Sequence, residues 1–211
     1  MAKRPNPAPE TVVGQVTGVI LAGGKARRMG GIDKGLVSIN GRAMVSYVID
    51  ALRPQVATLL LNANRSYDRY REFGLPVIAD ADGDFRGPLA GFASGMRVAE
   101  TPYIAVAPCD SPLLCGDMVQ RLYDALQKEG TRIAVAHDGS RLQPVFVLLD
   151  CTLLDDLAGH LADGGRKIDH WYGIHGYAVA DCSDVPESFL NINAPDDKQL
   201  LENMLTQRGP A

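Results

Sequence analysis

The chain has 211 residues, of which 46% are hydrophobic, and its formal net charge is −4 at pH 7. This length and apolar content are enough for one domain with a substantial core, and the acidic balance argues against nucleic acid as a partner. No stretch approaches the run of about 18 apolar residues that a membrane span requires, so we expect a cytoplasmic protein that binds no membrane.

The N-terminal segment has a composition of its own. Residues 1–15 contain three prolines and no apolar run long enough for a secretory signal. This composition predicts a disordered tail, followed by a single domain over residues 16–207. The four cysteines of the chain form no C-x-x-C pair and have no regular spacing, so we expect neither a zinc site nor a disulfide framework.

The first predicted strand leads into a basic loop. Residues 16–21 form a continuous apolar, β-branched run that is typical of a buried parallel strand. Gly23 and Gly24 follow, and without a Cβ their backbone N–H groups can approach an anion closely. The loop then carries three net positive charges, from Lys25, Arg27, Arg28 and Lys34 against Asp33. This pattern favours a polyphosphate site over a basic surface turn.

Strands and helices alternate through the first two thirds of the chain. Buried strands are predicted at 58–61, 76–79 and 103–107, and helices at 44–52, from Gly87-Pro88 onward and from 118 onward. Strict alternation of this kind predicts a mostly parallel sheet with helices on both faces.

The last third departs from that alternation. Residues 132–136 and 143–148 flank a short turn, which predicts an antiparallel excursion of the sheet. A helix over the leucines from 153 to 161, a flexible Gly164-Gly165 segment, a strand near 176–181 and a final helix from Pro195 are expected after it.

Polar residues follow the predicted strands. Ligands collect at the carboxyl ends of parallel strands, and the residues at these ends are Gly23-Gly24, Asn62, Asp80, Asp110 and Asn191 or Asn193. Each one has a simpler explanation as a turn or helix-capping residue. Their placement along one edge of the sheet nevertheless favours a shared site.

Asp110 is the strongest metal candidate. Mg²⁺ prefers few carboxylates together with waters and substrate phosphates, so one aspartate and one amide oxygen suffice. Asn193, or alternatively Asn191, could supply that oxygen, although Asn193 could also cap the final helix. The histidines show no metal-ligand spacing and are interpreted as structural or surface residues at 137, 160, 170 and 175.

The motif L-A-G-G-x-x-x-R-M-G-x-x-x-K, at residues 21–34, resembles the opening signature of nucleotidyltransferases. Further stretches make the chain resemble the molybdenum cofactor guanylyltransferases from about residue 16 to 205. They are LNANR (61–65), VIAD (77–80), GPLAG (87–91), PCDSP (108–112), HDG (137–139) and NINAPD (191–196).

The resemblance implies a three-layer, Rossmann-like nucleotidyltransferase fold and the transfer of GMP from GTP to the terminal phosphate of molybdopterin. It implies Mg²⁺, or Mn²⁺ in its place, on Asp110, and we expect Asn193 as the second metal contact. The chemistry of the transfer predicts catalytic roles for Lys34, Arg28 and Asp110. The implied GTP-binding residues are Leu21, Ala22, Gly23, Gly24, Lys34, Asn62, Asp80, Gly87 and Asp110. Those implied on the molybdopterin side, in the C-terminal half, are Arg166, Lys167, Asn191 and Asn193. Molybdenum-insertion proteins and molybdoenzyme chaperones are the implied partners.

Other functions are weighed against this interpretation. A molybdopterin cytidylyltransferase resembles the chain, but such proteins carry L-A-A-G where Gly23 stands here, and they lack GPLAG. Sugar-phosphate nucleotidyltransferases share the opening motif and are longer. A non-catalytic GTP-binding regulator would not need both Lys34 and Asp110. A hydrolase would need a G-x-S-x-G elbow, and here Ser94 comes one position too late.

Overall fold

The computed structural model describes residues 12–22, 33–80, 87–191 and 195–208. Its strands are β1 Val16–Leu21, β2 Ser38–Ile39, β3 Arg42–Ala43, β4 Thr58–Asn62, β5 Val77–Ile78, β6 Tyr103–Pro108, β7 Ile133–His137, β8 Leu142–Asp150 and β9 Ala178–Asp181. Seven of them form one sheet in the order β5-β4-β1-β6-β8-β7-β9, and β2 pairs with β3.

The main sheet is parallel except at one strand. β5, β4, β1 and β6 run parallel to one another, and so do β7 and β9, while β8 is antiparallel to both of its neighbours. The predicted antiparallel excursion is therefore confirmed. β1 lies between β4 and β6, and its last residue, Leu21, is in register with Asn62 on one side and Pro108 on the other. Three carboxyl ends thus meet at one edge.

Helices cover both faces of the sheet. They are α1 Met44–Leu52, α2 Tyr67–Arg71, α3 Pro88–Val98, α4 Met118–Glu129, α5 Leu154–Ala162, α6 Ile168–His175 and α7 Pro195–Arg208. Successive strand residues point to opposite faces, so Ile20 packs in the core beneath α1, α2 and α4, and Val19 packs in the core beneath α3, α5 and α6. This gives the expected three layers. No helix in the described ranges is long and apolar enough to cross a membrane.

Two expectations for local structure are wrong, and one helix was not predicted. Residues 168–175, to which the sequence analysis assigns no element, form α6, which burial of Trp171 and Tyr172 stabilises. Asn191 does not end a strand, since the chain forms a 3-10 helix at Pro186–Phe189 just before it. The tail boundary at residue 15 is too late, because Val12–Gln15 is a 3-10 helix whose Val12 is buried in the core.

The hairpin of β2 and β3 turns at Asn40 and Gly41. Both residues have positive φ, 47° and 77°, a conformation that asparagine and glycine tolerate better than other residues. The Asn40 side chain also donates a hydrogen bond to the Glu202 backbone oxygen at 3.1 Å, which ties the hairpin to α7.

Helix α7 packs against two segments that matter for the site. Leu201 is buried in a small cluster with Val37 and Leu113, among others. Val37 follows Lys34 by three residues, and Leu113 follows Asp110 by three. The C-terminal helix therefore braces both of the segments that carry the predicted cation and carboxylate.

Candidate active site

A cavity of about 330 Å³ opens at the edge where β1, β4 and β6 end. Its lining includes six of the residues predicted to bind GTP, namely Leu21, Lys34, Asn62, Asp80, Gly87 and Asp110. These residues come from segments up to 89 positions apart in the chain (110 minus 21). The parallel topology brings them together, as expected for ligand sites at strand carboxyl ends.

Five other predicted site residues are not among the described residues that line the cavity. Ala22 does not line the cavity; it is buried, and its N–H donates to the Asn62 backbone oxygen at 2.8 Å, so it supports the cavity wall. Gly23, Gly24, Arg28 and Asn193 lie outside the described residues.

Lys34 and Asp110 form an ion pair at one end of the cavity. The Lys34 Nζ donates to the Asp110 Oδ2 at 3.0 Å, and the two side chains are only 21% and 14% exposed. Partial burial reduces the screening of both charges by water. A cation and a carboxylate held side by side can face phosphate oxygens and a divalent metal, respectively.

A second ion pair fixes the start of the Lys34 segment. The Asp33 carboxylate is only 2% exposed and lies 3.2 Å from the guanidinium of Arg65. Arg65 follows β4, while Asp33 immediately precedes the 3-10 helix Lys34–Leu36. The position of Lys34 is therefore tied to the sheet by its own neighbour.

Close packing also joins the segment after Lys34 to the segment before Asp110. A Cβ on Gly35 would lie 2.7 Å from the Tyr70 hydroxyl and 3.2 Å from the Cys109 Sγ, so only glycine fits without displacement. Burial raises the pKa of the Cys109 thiol, and the adjacent Asp110 carboxylate raises it further. Burial likewise raises the pKa of Tyr70. Both groups are neutral at pH 7, so the carboxylate and ammonium carry the charge here.

Asp80, at another part of the cavity, is held by two amides. The Asn62 Nδ2 donates to its Oδ1 at 3.0 Å, and the Asn64 Nδ2 donates to its Oδ2 at 2.7 Å. Asn64 also accepts a hydrogen bond from the Asp80 backbone N–H at 2.8 Å. The sequence analysis did not predict Asn64 as a site residue, although it lines the cavity. The pattern Asn62-Ala63-Asn64 at the end of a buried strand could have indicated it, because Asn62 and Asn64 are two positions apart.

Helix α3 forms another wall of the cavity, and its position depends on glycines at and near its start. Gly87, which precedes the helix, has a φ of 81° that disfavours other residues, and Pro88 begins the first turn. A Cβ on Gly91 would lie 2.6 Å from the Leu21 Cδ2 and 2.8 Å from the Asn62 Oδ1. The absence of a side chain at 91 therefore allows α3 to approach the strand ends.

We expect Gly91→Ala to weaken GTP binding about tenfold, because the added methyl displaces Asn62 and so loses its charge-assisted hydrogen bond to Asp80. Isothermal titration calorimetry with GTP measures this change. Gly95→Ala is the matched control on the same helix: its Cβ would lie 2.7 Å from the Val19 Cγ2, away from the cavity. Both variants should lose stability through overpacking, by about 1–3 kcal/mol. Equal losses of GTP affinity in the two would contradict the assignment.

The residues predicted on the molybdopterin side lie near the cavity. The Ser111 hydroxyl donates to the Asn191 Oδ1 at 2.6 Å, which places Asn191 beside the residue that follows Asp110. The backbone oxygen of Arg166 approaches within 3.9 Å of a Cβ built on Gly87. Lys167 directly precedes α6 and is exposed. Asn191 and the Arg166 backbone thus lie beside Ser111 and Gly87, respectively, while Asn191, Arg166 and Lys167 are not among the residues that line the cavity.

The histidines take no part in this arrangement. None of the four lines the cavity. The His175 Nε2 lies 2.7 Å from an Asp156 oxygen, the ring of His160 lies 5.9 Å from that of His170, and the His137 Nδ1 accepts from a neighbouring backbone N–H. Within the described ranges, no group of three or more His, Cys, Asp or Glu side chains could hold a metal.

Solved structures with this fold include nucleotidyltransferases. A molybdopterin-guanine dinucleotide biosynthesis protein A from Archaeoglobus fulgidus superimposes with a TM-score of 0.75 at 21% identity, over 90% of this chain and 99% of that one. A nucleotidyl transferase from Methanothermobacter thermautotroptrophicus gives 0.68 at 17% identity, over 92% and 99%. The fold, with its strand-end cavity, is that of the nucleotidyltransferases.

Comparison with related sequences identifies the family of the chain, which the fold alone does not. Residues 18–175 match the family model of the MobA-like NTP transferase domain. A molybdenum cofactor guanylyltransferase from Shewanella sediminis is 49% identical over 193 residues, which cover 92% of this chain and 98% of the relative. One from Shewanella loihica is 48% identical, over 90% and 97%. The chain belongs to the molybdenum cofactor guanylyltransferase family.

Proposed function

We infer that the protein transfers GMP from GTP to the terminal phosphate of molybdopterin and releases pyrophosphate. The observation that carries this inference is the Lys34–Asp110 pair, at 3.0 Å, in the strand-end cavity of a chain that belongs to this family. The cytidylyltransferase, sugar-phosphate nucleotidyltransferase and regulator alternatives are not favoured, since relatives that match nearly the whole chain are named guanylyltransferases.

The chemistry needs alignment and charge neutralisation more than proton transfer. A phosphate oxygen of molybdopterin attacks the α-phosphorus of GTP and forms a new P–O bond. The bond from that phosphorus to the bridging oxygen breaks, and its electron pair leaves with pyrophosphate. The attacking phosphate is already ionised, because the second pKa of a phosphate monoester is about 6. No general base is required, which agrees with the absence of histidine from the cavity lining.

Lys34 supplies positive charge in this scheme. Its ammonium lies beside Asp110, on a segment whose start is held by the Asp33–Arg65 pair, and it neutralises charge that builds up on the α-phosphate and on departing pyrophosphate. Arg28, outside the described residues, is proposed to do the same from the preceding loop.

The proposed cofactor is Mg²⁺, with Mn²⁺ as a substitute. The oxygen donors at this end of the cavity fit a hard cation: the Asp110 carboxylate lines the cavity, and the Asn191 amide oxygen is fixed by Ser111 next to it. Asn193, outside the described residues, is the other proposed amide ligand. When bound, the cation would neutralise triphosphate charge and orient the leaving group.

The remaining assignments divide the cavity between two substrates. We assign GTP to the residues at the ends of β1, β4 and β5 and at the start of α3, namely Leu21, Ala22, Gly23, Gly24, Asn62, Asp80 and Gly87. We assign molybdopterin to the C-terminal side, namely Arg166, Lys167, Asn191 and Asn193. The protein is proposed to act in the cytoplasm, with molybdenum-insertion proteins and molybdoenzyme chaperones as transient partners.

Pyrophosphate release tests the function directly. The purified protein is supplied with GTP or CTP, with and without molybdopterin, in Mg²⁺ or in excess EDTA, and the dinucleotide product is identified by mass spectrometry. We expect release only with GTP, molybdopterin and Mg²⁺ together. Faster release with CTP would overturn the base assignment. Tight GTP binding with no pyrophosphate under any condition would identify a regulator instead.

A further inference from the structure

The Asn64 side chain and Asp80 are joined by two reciprocal hydrogen bonds. Asn64 donates to the Asp80 Oδ2 at 2.7 Å and accepts from the Asp80 backbone N–H at 2.8 Å. This two-point contact fixes the Asp80 side chain relative to its own backbone. Asn62 completes the arrangement with a bond to the Oδ1 at 3.0 Å. Asn62, Asn64 and Asp80 all line the cavity.

This arrangement leaves the Asp80 carboxylate able to accept further hydrogen bonds. An ionised carboxylate has about four acceptor positions, two on each oxygen. The two amides use one position on each oxygen. Among the residues that the structure describes, no other donor occupies the remaining acceptor position on each oxygen, and the buried Asp80 lines the cavity with both oxygens held in fixed orientation.

Two adjacent acceptors match one edge of guanine. Guanine presents two neighbouring donors, N1–H and the N2 amino group, whereas the corresponding edge of cytosine presents the acceptors N3 and O2 beside a single donor. A carboxylate would bind the first edge and repel the second. Sites built to hydrogen-bond a substrate group strongly reject analogues that lack it.

We propose that Asn64 is a positioning residue that orients Asp80 to accept hydrogen bonds from N1–H and N2 of guanine, and that it thereby sets the selectivity for GTP. This inference rests on the proposed function and specifies which part of GTP Asp80 contacts. Asn64 itself acts through Asp80.

The test compares dissociation constants for three nucleotides, measured by isothermal titration calorimetry. GTP is the reference, ITP lacks only the N2 amino group, and 2′-deoxy-GTP lacks a ribose hydroxyl that a carboxylate could bind instead. For the wild type we expect ITP to bind about 10- to 100-fold more weakly than GTP, the usual range for loss of a hydrogen bond to a charged group. We expect 2′-deoxy-GTP to bind within about threefold of GTP.

Two variants separate positioning from folding. Asn64→Ala removes both hydrogen bonds to Asp80, while Asn64→Asp keeps the shape and the acceptor for the backbone N–H but loses the donor. In both, we expect the preference for GTP over ITP to fall to within about threefold, with GTP affinity lowered more than ITP affinity, because ITP can lose only the N1–H contact. Asn203→Ala, on the exposed surface of α7, is the matched control and should retain the wild-type ratio. Circular dichroism melts report the fold of each variant.

Each outcome has a distinct meaning. A wild-type ratio of GTP to ITP affinity in folded Asn64→Ala or Asn64→Asp overturns the inference. So does a wild type that discriminates against 2′-deoxy-GTP but not against ITP, since Asp80 would then contact ribose. If the wild type binds GTP selectively but releases no pyrophosphate with molybdopterin, the proposed function is contradicted. The role of Asn64 is still supported in that case if the Asn64 variants lose their selectivity for GTP.

Discussion

Asp110→Asn is expected to reduce GMP transfer at least about 1,000-fold, with the larger part of the loss in kcat. The substitution preserves size but replaces an anionic ligand with a neutral amide, which binds a hard divalent cation poorly. It also removes the negative charge that lies 3.0 Å from the Lys34 ammonium. Steady-state pyrophosphate release at saturating GTP and molybdopterin, titrated with Mg²⁺, measures both the rate and the metal dependence. Asp110→Ala is expected to abolish transfer.

The control for this prediction is an aspartate with a similar partner and no place in the cavity. Asp50 pairs with Arg42 at 2.6 Å on the surface, where both side chains are about half exposed. Surface ion pairs contribute little to stability, so Asp50→Asn should transfer GMP within about twofold of the wild type. Substantial turnover by Asp110→Ala in Mg²⁺ would remove Asp110 from the mechanism.

The parts of the fold that position the site could be predicted from the sequence. Apolar runs at 16–21, 58–61 and 103–107 are the strands β1, β4 and β6, and their pairing is parallel. Once a parallel sheet is inferred from the alternation of strands and helices, the residues after these strands must meet at one edge. For that reason Lys34 and Asp110 could be assigned to one site although 76 positions separate them.

Contacts that depend on tertiary packing could not be predicted in the same way. Asn64 alone indicates a turn, and only the fold brings its amide to Asp80. The pattern of Ile168, Trp171 and Tyr172 has helical spacing, but adjacent glycines and histidines weaken it, and burial of the aromatic rings decides the outcome. Asn191 approaches the site through Ser111 and not as the end of a strand.

Lys34→Met should lower kcat/KM for GTP about 100- to 1,000-fold, through a higher KM and a lower kcat together. Methionine keeps most of the apolar stem of lysine and removes the charge that is proposed to face the triphosphate. Initial rates over a range of GTP concentrations separate the two contributions. Lys128→Met, near the exposed end of α4, is the matched control and should behave as the wild type.

The double variant Lys34→Met/Asp110→Asn tests whether the two residues act on the same reacting group. Groups in direct contact have non-additive effects, and these two side chains meet at 3.0 Å. We therefore expect the double variant to lose less transition-state free energy than the sum of the single losses, because each single variant already breaks the ion pair between the two residues. Strictly additive losses would mean that the ammonium and the carboxylate act independently of each other.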